Sequence, residues 1–285
     1  RRQRQMCIRD RINSVKMNPL TISEIQKVSL GILKKVDEIC NKLNLRYVLT
    51  YGTLLGAIRH KGYIPWDDDV DIMMPRPDYE KLLKYFESHR DELFPLCVLN
   101  SQTTFRYPYI ITRISNSDYW LNTQNEKQCG MGIFIDIYPL DGLGNDLEKA
   151  EKKMAKAKGI SSLAYLSTRK YLSFSGTKSW KRKIIKPFAF TFAKIMGKAF
   201  FEKRLLSMAY SYEYDKSEFV GCVVWEREVF RRADIDNMIL HDFEENQFWI
   251  PKQYHQILTG FYGDYMQLPP EKEREPHHLY YAYKK

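Results

Sequence analysis

The sequence predicts an α/β (α+β) fold, a mixed sheet flanked by helices, and three observations carry that expectation. An amphipathic helical stretch opens the readable part of the chain. Short apolar segments of period two fill its middle, and a strongly basic helical stretch follows them. The composition agrees: of 285 residues, 44% are hydrophobic and 28% charged, with only 14 Gly and 12 Pro. That supplies apolar material for a sizeable core and excludes a disordered, collagen-like or low-complexity chain. At roughly 150 residues per domain, the length admits one large domain or two small ones.

Residues 1–11 show no apolar period and no starting Met, so they read as a tail or a sequence-assembly artefact, without the layout of a signal peptide. Thr21-Ile-Ser-Glu24 is a capping box, and Ile25, Val28, Ile32, Val36, Ile39, Cys40 and Leu43 then repeat at three and four, predicting a helix with one buried face. A short strand is expected at Tyr47 to Thr50, a helix at Leu54 to Arg59, a loop at His60 to Trp66 and a strand at Asp69 to Met74. Pro77 suits the first turn of a helix running to about Arg90. Strands are expected at Cys97 to Leu99, Tyr107 to Ile114, Tyr119 to Leu121 and Met131 to Tyr138, with a turn and boundary at Pro139 to Gly144. A further strand is expected at Val220 to Val224. Pro251 is expected to open a helix that Gly260 ends, before a Pro- and charge-rich tail.

The domain plan is therefore a core over 20–144, a basic helical insertion over 145–214, and a C-terminal part of the same core over 215–285. The net charge of +10 is not spread evenly. Lys149 to Arg204 holds 16 Lys plus Arg against 2 Glu, so the rest of the chain is net acidic. Basic residues there mix with Phe188, Phe190, Phe192, Ile195, Met196, Phe200 and Phe201, a pattern suited to an anionic membrane surface and poorly suited to nucleic acid. A helical insertion with a solvated basic side is the plainer alternative. No apolar run reaches the roughly 18 residues a membrane span needs. Five dispersed cysteines without a C-x-x-C pair indicate neither a zinc ribbon nor a disulfide framework, and point to a reducing compartment.

The chemistry concentrates in Tyr51-Gly-Thr-Leu-Leu-Gly-Ala-Ile-Arg59 and Pro65-Trp-Asp-Asp-Asp-Val-Asp-Ile72. On a strand, Asp67, Asp69 and Asp71 would project to one face while Val70 and Ile72 enter the core. Carboxylates so crowded repel one another unless a cation is shared, which makes them candidate ligands for a divalent metal. An acidic surface turn with Asp67 or Asp68 as a cap is the bland alternative, and the interleaved Val and Ile speak against it. Gly52 and Thr53 at a helix start offer backbone amides to phosphate. Asp136, in an apolar strand where an unpaired charge is costly, is the candidate further ligand or proton acceptor; a structural pairing with an Arg is its alternative. Asp141 reads as a turn residue. Arg59, His60 and Lys61 either neutralise a departing phosphate or form a solvated loop. Asp264, in Tyr262-Gly-Asp-Tyr-Met266, either lines an acceptor rim or makes a turn.

The runs YGTLLGAIRHKGYIPWDDDVDI, FIDIYPLDG and YGDYMQLPP resemble the LicD family of phosphocholine transferases, to which fukutin-like proteins are distantly related. The resemblance spans about Leu20 to His278 and is weakest in the basic segment. It implies a nucleotidyltransferase-like fold in which Gly52 and Thr53 match the Gly-Ser/Thr signature and Asp69 and Asp71 the metal-binding pair. The insertion between Gly144 and Tyr214 contains neither Cys nor His, so the zinc loop of the fukutin branch is not implied. The implied activity moves phosphocholine, or a similar phospho-alcohol, from a CDP-alcohol to a hydroxyl of a cell-surface glycan such as lipopolysaccharide or teichoic acid, or its lipid-linked precursor, releasing CMP.

On that reading Mg²⁺ or Mn²⁺ is held by Asp69 and Asp71 with Asp67 or Asp136, and the site residues are Asp69, Asp71 and Asp136 for catalysis and Gly52, Thr53, Arg59, His60, Trp66 and Asp264 for substrate. Choline's quaternary ammonium favours aromatic faces, and Trp66, Tyr109, Trp120 and Tyr138 are the candidates nearest the acidic motifs. The expected location is cytoplasmic, peripheral at the inner face of the membrane through 149–204, with CDP-choline or another CDP-alcohol and a lipid-linked glycan as partners and no nucleic acid. Two rivals remain: an NTP-dependent nucleotidyltransferase that releases pyrophosphate, and a non-catalytic basic module whose Asp cluster holds a structural cation.

Overall fold

Thr21 starts the first helix as its sequence predicts. Its Oγ1 accepts from the Glu24 amide at 3.3 Å, and Glu24 Oε2 accepts from the Thr21 amide at 2.8 Å, closing the capping box at the head of α1 (Ile22–Leu43). The computed structural model describes residues 18–174, 179–276 and 280–285. The expected tail over 1–11 and His278 lie outside the described residues. The apolar stripe of α1 is buried through Ile25, Ile32, Leu33, Val36, Ile39 and Cys40, and it packs on the central sheet.

That sheet is mixed. Its strands run in the order β1 (Val48–Leu49), β2 (Asp71–Pro75), β6 (Ile133–Gly144), β4 (Thr112–Asn116), β3 (Leu96–Leu99). Only the β2–β6 pair is parallel; the other neighbours are antiparallel. Both central strands are buried throughout, as expected where helices cover a sheet. The long β6 continues past β2 to pair with β7 (Phe219–Gly221), which carries β8 (Phe230–Arg231). Two antiparallel pairs stand apart, the hairpin β9 (Met238–Phe243) with β10 (Asn246–Pro251), and β5 (Tyr119–Thr123) with the distant β11 (Tyr280–Lys284).

Helix α2 (Tyr51–His60) links β1 to the acidic loop, and α3 (Arg76–Ser88) with the short α4 (Arg90–Leu93) leads to β3. The basic segment folds as α5 (Leu147–Thr168), α6 (Trp180–Met196) and α7 (Lys198–Ala209). Helices α8 (Arg232–Asp236) and α9 (Tyr254–Tyr262) complete the set. Among the described residues, no helix is long and apolar enough to cross a membrane. The cysteines Cys40, Cys97, Cys129 and Cys222 are free.

Four expectations are corrected. Pro139 to Gly144 is not a turn: β6 runs through it, and Asp141 is fully buried against Arg76, Nε to Oδ1 2.7 Å. Pro139, which cannot donate to a ladder, and the polar Asp141-Gly142 pair disguised the strand. The strand expected from Tyr107 begins only at Thr112. Pro251 ends β10 rather than opening a helix, and α9 starts at Tyr254. The C-terminal tail is not wholly irregular, because β11 pairs with β5 and Leu20 donates to the Ala282 carbonyl at 2.8 Å.

Candidate functional site

The register of the parallel pair places Asp71 opposite Asp136. Strand β2 begins only at Asp71, so Asp67 and Asp69 reach the site from the preceding loop rather than from alternate strand positions. This corrects the expectation of a three-carboxylate strand face. The loop is nonetheless well held: Gln26 Nε2 on α1 donates to the Asp67 carbonyl at 2.8 Å and the Ile64 carbonyl at 3.3 Å. From the other end of the chain, the Tyr280 hydroxyl donates to the Asp68 carbonyl at 3.2 Å.

Two overlapping groups of carboxylates result. One oxygen from each of Asp69, Asp71 and Asp136 lies within 4.8 Å of the others, and the same holds for Asp67, Asp68 and Asp69. Asp69 belongs to both. Asp71 Oδ1 is buried and lacks a hydrogen-bond partner. Burial pushes the Asp71 carboxyl well above the ordinary carboxylate range, and the charges of Asp69, Asp136 and Asp67 push it further. The Tyr138 phenol works in the opposite direction.

Asp136 has the arginine pairing that was its structural alternative, and it also lies in the carboxylate group with Asp69 and Asp71. Arg113 on β4 stands opposite it in the antiparallel register and grips both oxygens, Nε to Oδ1 at 2.6 Å and Nη2 to Oδ2 at 3.3 Å. The guanidinium is itself buried between the rings of Tyr109 and Phe134, each 3.7 Å from its centre. Sequence reading missed Arg113, although a lone Arg inside Ile110-Ile-Thr-Arg-Ile114 carried the same signal as a lone Asp inside an apolar strand. It also passed over Asp68 as a potential ligand.

The start of α2 faces the loop. Gly52 leaves room for the Asp67 carboxylate, since a Cβ would lie 2.5 Å from Asp67 Oδ2 and push it aside. Tyr51 takes a left-handed φ of 46°, turning the chain sharply from β1 into the helix. Thr53 Oγ1 accepts from the Asp71 amide at 2.9 Å, so its hydroxyl first of all locks β2 to the helix start and keeps its own proton to donate. Gly52 and Thr53 contribute first-turn amides, the kind a helix leaves without intrahelical partners.

Other expected site residues lie farther out. Arg59 and His60 are in the last turn of α2, roughly 10 Å along the axis from Gly52. Arg59 Nη1 donates to the Tyr265 carbonyl at 2.9 Å, tying the helix end to the loop that contains Asp264. The His60 ring meets the Trp66 ring edge-on at 6.2 Å, and Arg274 lies over Trp66 at 5.7 Å. Asp264 is exposed in a turn and belongs to neither carboxylate group. Its neighbour Tyr262 is the nearer one electrostatically: burial, then the charges of Asp71, Asp67 and Asp69, raise its phenol. Of the aromatic candidates, Tyr138 sits by Asp71 and meets Tyr51 edge-on at 5.2 Å, whereas Trp120 stacks on Tyr283 at 4.7 Å on the outlying β5–β11 pair.

A mixed α/β fold with carboxylates converging from β2, β6 and a loop beside a helix start is an arrangement that a phosphotransferase-class enzyme can use. A family model described as the LicD/FKTN/FKRP nucleotidyltransferase domain matches residues 44–187. The chain is 30% identical over 273 residues to the lipopolysaccharide cholinephosphotransferase LicD of Haemophilus influenzae, covering 94% of this chain and 99% of that one. An uncharacterised protein of Rickettsia typhi is 36% identical over 122 residues, 42% of this chain and 37% of its own. The chain belongs to the LicD family.

Proposed function

We propose that this protein transfers phosphocholine, or a similar phospho-alcohol, from a CDP-alcohol to a hydroxyl of lipopolysaccharide or another cell-surface glycan, or of its lipid-linked precursor, with release of CMP. The observation that carries the reading is the convergence of Asp69, Asp71 and Asp136 beside the start of α2. The relative named as a lipopolysaccharide cholinephosphotransferase supports the substrate class. A lipid-linked acceptor would put the reaction at the inner face of a membrane.

The donor set fits a hard divalent cation, Mg²⁺ or Mn²⁺: carboxylate oxygens only, one of them the buried, unpartnered Oδ1 of Asp71. Asp69, Asp71 and Asp136 would hold it, with Asp67 and Asp68 able to hold a second. Such an ion, when bound, neutralises charge on the donor diphosphate and on the departing CMP.

The chain's own residues do the positioning. The Gly52 and Thr53 amides receive phosphate oxygens, and Thr53 keeps the helix start registered against Asp71 through the hydrogen bond to its amide. Arg113 fixes the rotamer of Asp136 by gripping both its oxygens. The acceptor hydroxyl gives its proton to a carboxylate of the cluster as it attacks the outer phosphorus in line.

The test is a panel of CDP-alcohols with Mg²⁺ and a lipopolysaccharide or lipid-linked acceptor. CMP release with labelled alcohol on the glycan is the expected result. Pyrophosphate release from an NTP, with no turnover of any CDP-alcohol, would overturn the reading in favour of a nucleotidyltransferase.

A further inference from the structure

Helix α6 shows solvent the side chains that a core helix would hide. Trp180, Ile184, Phe188 and Phe192 follow one another at steps of four, and Ile195 comes three later, so all five share one face. All are exposed, Phe188 by 74% and Ile195 by 78%, and Ile185 beside them by 62%. The other side of the helix is fixed. Ala193 is buried with Ala164 of α5 and Phe201 of α7 in a small second core, where Met196 and Phe200 also pack. Lys194 Nζ donates to the Ser167 carbonyl at 3.0 Å. Held in this way, α6 cannot roll its apolar stripe inward without giving up that packing.

The segment that carries the stripe is rich in exposed cations. The segment 149–204 carries 16 Lys plus Arg against 2 Glu, and Lys156, Lys170, Lys183, Lys203 and Arg204 are exposed. A nucleic-acid surface would need the cations without a row of Ile and Phe. A second copy of this chain would need a matching acidic face opposite the basic one.

We propose that the α6 face docks on an anionic lipid bilayer, its apolar stripe at the headgroup–acyl boundary and its lysines among the lipid phosphates. Helix α6 lies along the membrane surface and does not span it. This interaction goes beyond the transfer reaction and does not depend on it, because vesicle binding is read without any substrate.

The experiment is co-sedimentation of the full chain with phosphatidylcholine vesicles, with and without roughly 30% phosphatidylglycerol. The expected result is at least about tenfold tighter binding to the anionic vesicles, weakening as salt is raised. The double variant Ile184→Asp/Phe188→Asp should lose that binding by about tenfold or more with an unchanged melting temperature, since both side chains are already in solvent. Lys183→Glu/Lys203→Glu should remove the preference for anionic lipid. Equal binding by the wild type and the Asp double variant would overturn the proposal. So would a wild-type dimer that the double variant dissolves while neither protein binds vesicles, which would make the face a self-interface.

Discussion

Asp71 and Asp136 stand opposite each other across the parallel β2–β6 pair, with Asp69 reaching the same point from the loop before β2. Parallel strands buried on both faces normally carry apolar residues, so two facing carboxylates there cost stability unless something positive is shared between them. Arg113 supplies part of that charge to Asp136, while Asp71 Oδ1 has no partner.

Asp71→Asn should abolish transfer, by at least about a thousandfold, while making the metal-free protein more stable by roughly 1–2 kcal/mol, the scale of relieving an uncompensated buried group. Asp69→Asn should likewise lose transfer without losing stability. The check is turnover alongside thermal melts in chelator. Loss of folding in the Asn variants would mean that the carboxylates are structural.

The same variant has a pH signature. Asp71 titrates above the ordinary carboxylate range in the folded state, because of burial first and its acidic neighbours second. Its cost to folding is absent below the ordinary value, where both states are protonated, and grows as pH rises through the raised folded value. In chelator, the stability advantage of Asp71→Asn should therefore be larger at neutral pH than in acid and vanish as the pH falls towards 4 (roughly the ordinary Asp value). A pH-independent difference between the two melting curves would contradict this.

Mg²⁺ or Mn²⁺ should raise the wild-type melting temperature, with a stabilisation of about 2.7 kcal/mol at a free concentration a hundred times the Kd. Asp71→Asn should lose most of the shift. Titration in a scanning calorimeter, with Ca²⁺ as a size control, measures it directly.

Gly52→Ala separates activity from stability. The new Cβ would meet Asp67 Oδ2, the far end of a movable side chain, at 2.5 Å. The expected outcome is a 10- to 100-fold drop in turnover, the scale of a small misplacement of reacting groups, at a cost below about 1 kcal/mol in denaturant unfolding.

Arg113→Met should be severe for the opposite reason. It leaves Asp136 charged, buried and unpaired, at a cost of about 3–5 kcal/mol. Arg113→Met/Asp136→Leu should recover most of that stability but no activity. Urea midpoints of the two variants against wild type test the pairing.

Local decisions were legible before any fold was known, because neighbours along the chain supply their energetics. The capping box at Thr21 and Glu24, the buried stripe of α1, the glycine at position 52 and the carboxylates at 67, 69, 71 and 136 were all legible, and with them the LicD resemblance. What the sequence could not determine were pairings between distant segments. Arg113 meets Asp136 only because β4 lies beside β6, and Arg76 meets Asp141 only because β2 lies on the other side. Asp141 consequently read as a turn, since a charge and a proline in one stretch look solvent-bound until a buried partner is known. The apolar face of α6 was visible as composition, but its orientation was set by Ala193 packing against α5 and α7. Which side of an amphipathic helix meets solvent is decided by what the rest of the chain covers, and that information exists only once the tertiary contacts have formed.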